Sequence, residues 1–198
     1  MSDKQEPDAV DLNMDGTFSH SYECDQLTES SESSLPHYYF PGATTKGGGD
    51  GILLRVRPKH GQAWLGTFAF GRVSSKGFSG LYASPDPERF CVVARGEGYF
   101  VTASKPETWE SVGAKPVADV RTVYAQGIIV FADHTRLWAY GPAGLKWKTN
   151  RLAWDGLKIT EITSTSIVGE FWDVSSEATA NFVVDLASGS HEGGAKEP

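Results

Sequence analysis

Gly127 to Lys148, GIIVFADHTRLWAYGPAGLKWK, carries the pattern that decides the fold. Ile128 to Ala132 is an apolar, β-favouring run, and Asp133 to Arg136 breaks it with turn-type residues. Leu137, Trp138 and Tyr140 resume the β pattern before Gly141-Pro142 and Gly144 turn the chain again. The stretch reads as short strands joined by tight turns, and the same grammar extends in both directions. From Ile52 onward the chain is a series of strand-length runs: ILLRVR, AWLGTFAF, FSGLYAS, RFCVVA, GYFVTA, VADVRTVYA, GIIVFA, TRLWAY, GLKWKT, LKITEIT, SIVGEFWD and NFVVDLA. Breaks such as Pro58 to Gly61, Pro85 to Pro87, Gly96 to Gly98 and Ser188-Gly189 separate them.

The runs also repeat. LLRVRPKHGQAW, GYFVTASKPETW and TRLWAYGPAGLKW each give a strand, a polar turn and a closing tryptophan. The tryptophans are Trp64, Trp109 and Trp147, spaced 109 − 64 = 45 and 147 − 109 = 38 residues apart. NFVVDLASGSHEGG begins a fourth copy without the aromatic, as an end unit does. These segments resemble the outer hairpin of β-propeller blades of the quinoprotein (PQQ-like) type, with its "A-x-D, T-G-x, W" pattern. Asp185 stands in the Asp place, and Ser188-Gly189 and Ala143-Gly144 stand in the Thr-Gly place. The resemblance spans about 52–194 and implies a blade-like architecture without implying a quinone cofactor. The expected fold is therefore all-β and antiparallel, with three to four propeller-blade-like units. A small closed propeller, an open stack of sheets, a β-sandwich and a partial propeller completed by a second copy are the alternatives.

Charge divides the chain. Residues 1–36 hold nine acids against Lys4 alone, a net of −8; with −7 for the whole protein, the remainder sums to −7 − (−8) = +1. Low hydrophobicity and the run LTESSESSLP predict an acidic flexible tail over 1–36, followed by a glycine-rich linker at 37–51. The β domain then covers 52–194, and 195–198 is a C-terminal tail. A near-neutral body without a basic stripe speaks against nucleic-acid binding. No apolar window reaches the length of a membrane span, and two cysteines make no disulfide framework, so a soluble cytoplasmic protein is expected.

Motifs of chemistry are sparse. Asp11, Asn13 and Asp15 open like a calcium loop, D-x-[DN]-x-[DN]-G, but its twelfth place is Tyr22, where a bidentate Glu is required. Ca2+ binding there competes with a solvated acidic segment. Residues 44–51, TTKGGGDG, lack phosphate-loop spacing, and Gly96-Glu-Gly98 between β runs reads as a hairpin turn. Asn150 to Gly156 is the most site-like stretch: Arg151, Trp154 and Asp155 offer a planar donor, a stacking face and an acceptor. Its alternative is a hairpin bend at Asp155-Gly156, with Trp154 inward and Arg151 paired to Asp155. The functional expectation is a non-enzymatic binding module whose partner is another protein, self-association included. The alternative is a hydrolase or lyase on a small or saccharide substrate, using loop carboxylates Asp133, Asp155 and Asp173.

Overall fold

Each of the twelve β-favouring runs forms one strand, and five further strands come from sequence with weaker β character. The computed structural model describes residues 10–28, 34–41, 51–73 and 77–195. In chain order, β1 (Asn13–Asp15), β2 (Tyr22–Leu27), β3 (His37–Phe40), β4 (Gly51–Pro58) and β5 (Trp64–Ala69) come first. β6 (Gly80–Ala83), β7 (Arg89–Ala94), β8 (Glu97–Thr102) and β9 (Lys105–Ser111) follow. Next are β10 (Asp119–Val123), a 3-10 turn at Tyr124–Gln126, β11 (Ile128–Ala132), β12 (Leu137–Gly141) and β13 (Gly144–Lys148). β14 (Lys158–Ile162), β15 (Ser166–Asp173), β16 (Ala178–Asp185) and β17 (His191–Gly193) end the series.

These strands make four sheets: β2-β4-β5-β3, β1-β6-β7-β8-β9, β10-β11-β12-β13 and β14-β15-β16-β17. Pairing is antiparallel except for β1 with β6 and β3 with β5. The sheets stack face to face in that order, in a propeller-like arrangement, because three apolar layers join successive neighbours. Leu54, Val56 and Phe68 of the first sheet meet Phe90, Val92 and Val101 of the second. Cys91, Val93 and Phe100 on the second sheet's other face meet Ile129, Phe131 and Tyr140 of the third. Val130, Leu137 and Ala139 of the third meet Ile167, Phe171 and Phe182 of the fourth. Each Val, Leu, Ile or Phe among them contributes about 1.5–3 kcal/mol by leaving water. Among the described residues no buried cluster joins the first sheet to the fourth. The outer face of the first sheet carries Arg57 Nη2, 2.8 Å from Glu23 Oε2; that of the fourth carries Lys158 Nζ, 2.8 Å from Glu170 Oε1, together with the exposed Trp172 and Val183. The described residues thus form an open stack.

Two tryptophans clasp neighbouring sheets in the same way. Trp64 Nε1 donates to Ala103 O at 2.8 Å, and Trp147 Nε1 donates to Leu186 O at 2.9 Å, each 39 residues ahead. At the second dock the turn after β16 supports the ring. Asp185 Oδ1 accepts the Ser188 N–H and hydroxyl, and Gly189, with φ of 74°, lies so close under the Trp147 ring that a Cβ would come within 2.8 Å of it. Trp109 is not their equivalent. Opposite Val101 on β8, it faces back toward the first sheet, packing on Phe40 and Tyr99. At that junction Gly113 N–H instead donates to Tyr140 Oη at 2.8 Å.

The acidic segment is no free tail over residues 10–28, which corrects the expectation for 1–36. β1 extends the second sheet and β2 the first, with Leu12 and Tyr22 buried in the layer between them and Phe18 buried against Tyr124. Its charge is matched across the pairing: Asp25 Oδ2 takes Arg55 Nη2 at 2.9 Å and Arg57 Nη1 at 2.5 Å. Residues 1–9 and 29–33 lie outside the described residues. Of the expected linker, His37–Phe40 is a strand, and the glycine-rich 42–50 lies outside the described residues. At the other end, Ala195 N–H donates to Leu152 O, and 196–198 lie outside.

Losing either clasp orphans a buried carbonyl. Trp64→Phe and Trp147→Phe are each expected to lower stability by about 1–3 kcal/mol in urea unfolding, and Trp109→Phe by less. Arg55, then Arg57, hold the Asp25 carboxyl below the usual carboxylate range. A depressed folded value stabilises above the unfolded value of about 3.9 and is lost as pH falls through the folded one. Urea midpoints measured from neutral pH downward should therefore show Asp25→Asn less stable at neutral pH and converging with wild type in acid.

Candidate functional site

Strand direction brings the exposed turns of successive sheets to one edge. Val117 N–H donates to Gly96 O in the β7–β8 turn, and two residues later Asp119 pairs with Ala132 at the end of β11. The Asp133 to Arg136 turn therefore emerges beside the Arg95-Gly96 turn. One sheet further on the relation recurs: Leu157 N–H donates to His134 O, and Lys158 then opens β14 opposite Glu170, near the end of β15. The crossovers leaving the second and third sheets are thus each bonded to the turn of the sheet they leave.

On this edge a cleft of about 550 Å³ opens between the first and second sheets. Gly71 N–H donates to Ala94 O at 2.8 Å, which holds the exit of β5 against the β7–β8 turn. Arg95 then lies over the Phe70 ring, its Cζ 3.8 Å from the centroid. Arg95 and Gly96 have φ of 45° and 81°, and a Cβ on Gly96 would come within 2.9 Å of Pro116 Cβ, so only glycine admits the crossover this close. Lys115 Nζ pairs with Glu97 Oε1 at 2.7 Å. Tyr99 closes the floor, donating to Ala69 O, its phenol pushed up to about 12 by burial and then by Glu97. Arg72, Arg95 and Lys115 against Glu97 leave the lining at 3 − 1 = +2.

The next patch along the edge holds the residues singled out in the sequence. Arg151 Cζ sits 4.4 Å over the Trp154 ring, and Trp154 is 43% exposed. Asp155 is solvent-facing, accepts the Gly156 N–H and lies 3.8 Å from His134 Nδ1. The hairpin expected at Asp155-Gly156 is absent: β13 and β14 belong to different sheets, and the segment between them is a crossover. Trp154 consequently faces outward, and Arg151 stacks on it where an ion pair with Asp155 was the expectation.

The loop carboxylates take separate positions. Asp133 is buried and spent on the turn: Oδ1 accepts from Thr135 N–H, Thr135 hydroxyl and Arg136 N–H, and Oδ2 from Trp138 Nε1. Asp155 shares its corner through His134, while Asp173 caps the next sheet's hairpin. There the Ser176 hydroxyl and Ser175 N–H hold its carboxyl below the usual range, favouring the anion. Asn13 and Asp15 lie in an extended strand, where alternate residues stand about 6.6 Å apart, too far to converge on one cation. Asp11 is exposed beside them, and Asp15 accepts from the Thr17 N–H and hydroxyl. Among the described residues no group of three or more His, Cys, Asp or Glu has metal-binding placement. No described helix is long and apolar enough to cross a membrane.

No protein-family profile matches the chain, and no curated protein matches it. Among solved structures it is similar to a dihydro-heme d1 dehydrogenase, NirN, in complex with DHE. The TM-score is 0.42 at 17% identity, over 73% of this chain and 34% of that one. The chain thus spans about a third of the length of that protein.

Sequence reading singled out Arg151, Trp154 and Asp155, which the fold brings to this edge, and missed Phe70, Arg72, Arg95 and Lys115. The available signal was an arginine in a positive-φ hairpin position after a buried strand, an exposed setting for a long cationic side chain. Asp133→Ala removes four acceptor contacts and is expected to cost about 2–3 kcal/mol in urea unfolding. Asp173→Ala, on an exposed hairpin with two acceptor contacts, should lower the midpoint by much less in the same assay.

Proposed function

We propose that this protein is a non-enzymatic binding module that engages another protein through its turn edge, with Arg151, Trp154 and Asp155 at the centre of the contact. The observation that carries the reading is the Arg151 guanidinium stacked on an outward-facing Trp154. Tryptophan and arginine supply large, planar contact area, and stacking holds both side chains in place before the partner arrives. Asp155 and His134 add a carboxylate and an imidazole at the rim of the same patch. The unpaired cysteines Cys24 and Cys91 fit a reducing compartment such as the cytoplasm. Burial holds the Cys24 thiol up at about 12, so it stays protonated at neutral pH.

The test compares immobilised wild type, Trp154→Ala and Lys105→Ala in extract from the native source, with quantitative mass spectrometry of what is retained. β8 runs away from the turn edge, so Lys105, exposed at the start of β9, reports on the opposite one. A stoichiometric protein held by wild type and Lys105→Ala but reduced about 10-fold or more by Trp154→Ala is the expected result. Equal retention by all three forms overturns the proposal.

A further inference from the structure

We infer that the cleft between the first and second sheets is a binding site for a carboxylate carried on an apolar body. This site is separate from the Trp154 patch and lies two gaps between sheets away along the same edge.

The argument begins with Arg95. One face of its guanidinium is covered by Phe70, which fixes its plane. Its Nε is buried and has no hydrogen-bond partner, and no carboxylate lies within ion-pair distance of it among the described residues. The half-buried guanidinium thus has no compensating anion among the described residues, and with Nε shielded an incoming carboxylate meets it at its Nη groups, where charge-assisted N–H bonds supply the missing partner. With one face stacked, the guanidinium offers its edge, whose parallel N–H bonds match the two oxygens of a carboxylate.

The walls choose the rest of the ligand. Phe70, Val73, Tyr99, Pro41 and Pro116 line the cleft with apolar surface, and its volume suits a small organic molecule or one peptide residue. Lys115 is already paired with Glu97, so Arg95 in the cleft and the exposed Arg72 are the cations left to the ligand. They call for an anion, and it is the apolar lining that favours a carboxylate carried on an apolar body over a fully hydrated inorganic phosphate.

The test is titration of the full chain with 4-phenylbutyrate, 4-phenyl-1-butanol, inorganic phosphate, and acetyl-Gly-Gly-Phe as free acid and as amide. Arg95 Nε–Hε is followed by 1H–15N NMR, and affinity is measured by calorimetry. The expected result is a saturable Arg95 shift with at least one acid, and at least about 10-fold weaker binding of its neutral counterpart. Arg95→Gln should weaken the acid by about 10-fold or more, and Glu97→Gln, which frees Lys115, should tighten it several-fold. Tighter binding of the peptide acid identifies a chain terminus as the source, and tighter binding of 4-phenylbutyrate a free organic acid. Either supports the site. If Arg95→Gln fails to fold, Glu97→Gln decides, and unchanged or weaker acid binding there counts against the inference. It is overturned by no saturable shift up to about 10 mM acid, by equal binding of alcohol and acid, or by phosphate binding as tightly as the carboxylates.

Discussion

The indole N–H bonds of Trp64 and Trp147 close the gap between one sheet and the next at the far end of the strands. A sheet that only stacks on its neighbour through apolar side chains remains free to slide, because hydrophobic contact is non-directional. A buried donor that must find one particular carbonyl removes that freedom. With the clasp set, the layer between the two sheets has a defined register, and at the first junction the edge-to-face packing of Phe68 on Phe90 becomes possible. The clasp occurs at the first and third junctions. The second junction uses the Tyr140 hydroxyl and the close seat of Gly113 under Trp138.

Stacking in chain order also explains what the sequence shows and what it hides. Middle sheets are covered on both faces, so RFCVVA and GIIVFA are apolar almost throughout and buried along nearly their whole length. End sheets are covered on one face, and GILLRVRP and SIVGEFWD alternate buried with half-exposed positions. Strand existence and place in the stack were both written in these patterns. The closing tryptophans were legible as packing residues, but their spacing made Trp109 look like a third copy. A one-residue difference in pleat sends a side chain to the opposite face, and a repeat count along the sequence does not register that.

The amino-terminal segment was misread for a different physical reason. Its net charge was counted within the segment, whereas the balancing Arg55 and Arg57 lie on β4, some 30 residues away. A strand whose outward positions are acidic and whose inward positions include Tyr22 and Cys24 looks like solvated chain until its cationic neighbour is placed beside it. The candidate site was half legible on similar grounds. Arg151, Trp154 and Asp155 lie within one crossover and announce themselves together. Phe70 and Arg95 come from different sheets, and the Gly71 to Ala94 backbone bond that unites them has no sequence signature.

The two edges of the stack therefore carry different duties. Tryptophan docks and their turns occupy the edge where β8 and β16 end, and that edge is spent on holding sheets together. The opposite edge carries two guanidinium groups, each laid on an aromatic ring and each set on a turn or crossover tied down by backbone bonds. A free arginine loses about 2 kcal/mol of rotamer entropy when a partner immobilises it, and a stacked one has lost much of that in folding. Binding energy at such a site goes into the contact itself. Because the crossovers leaving the second and third sheets are bonded to the turns beside them, an open stack of this kind presents a rigid row of side chains at one edge without a helix or a long loop to support them.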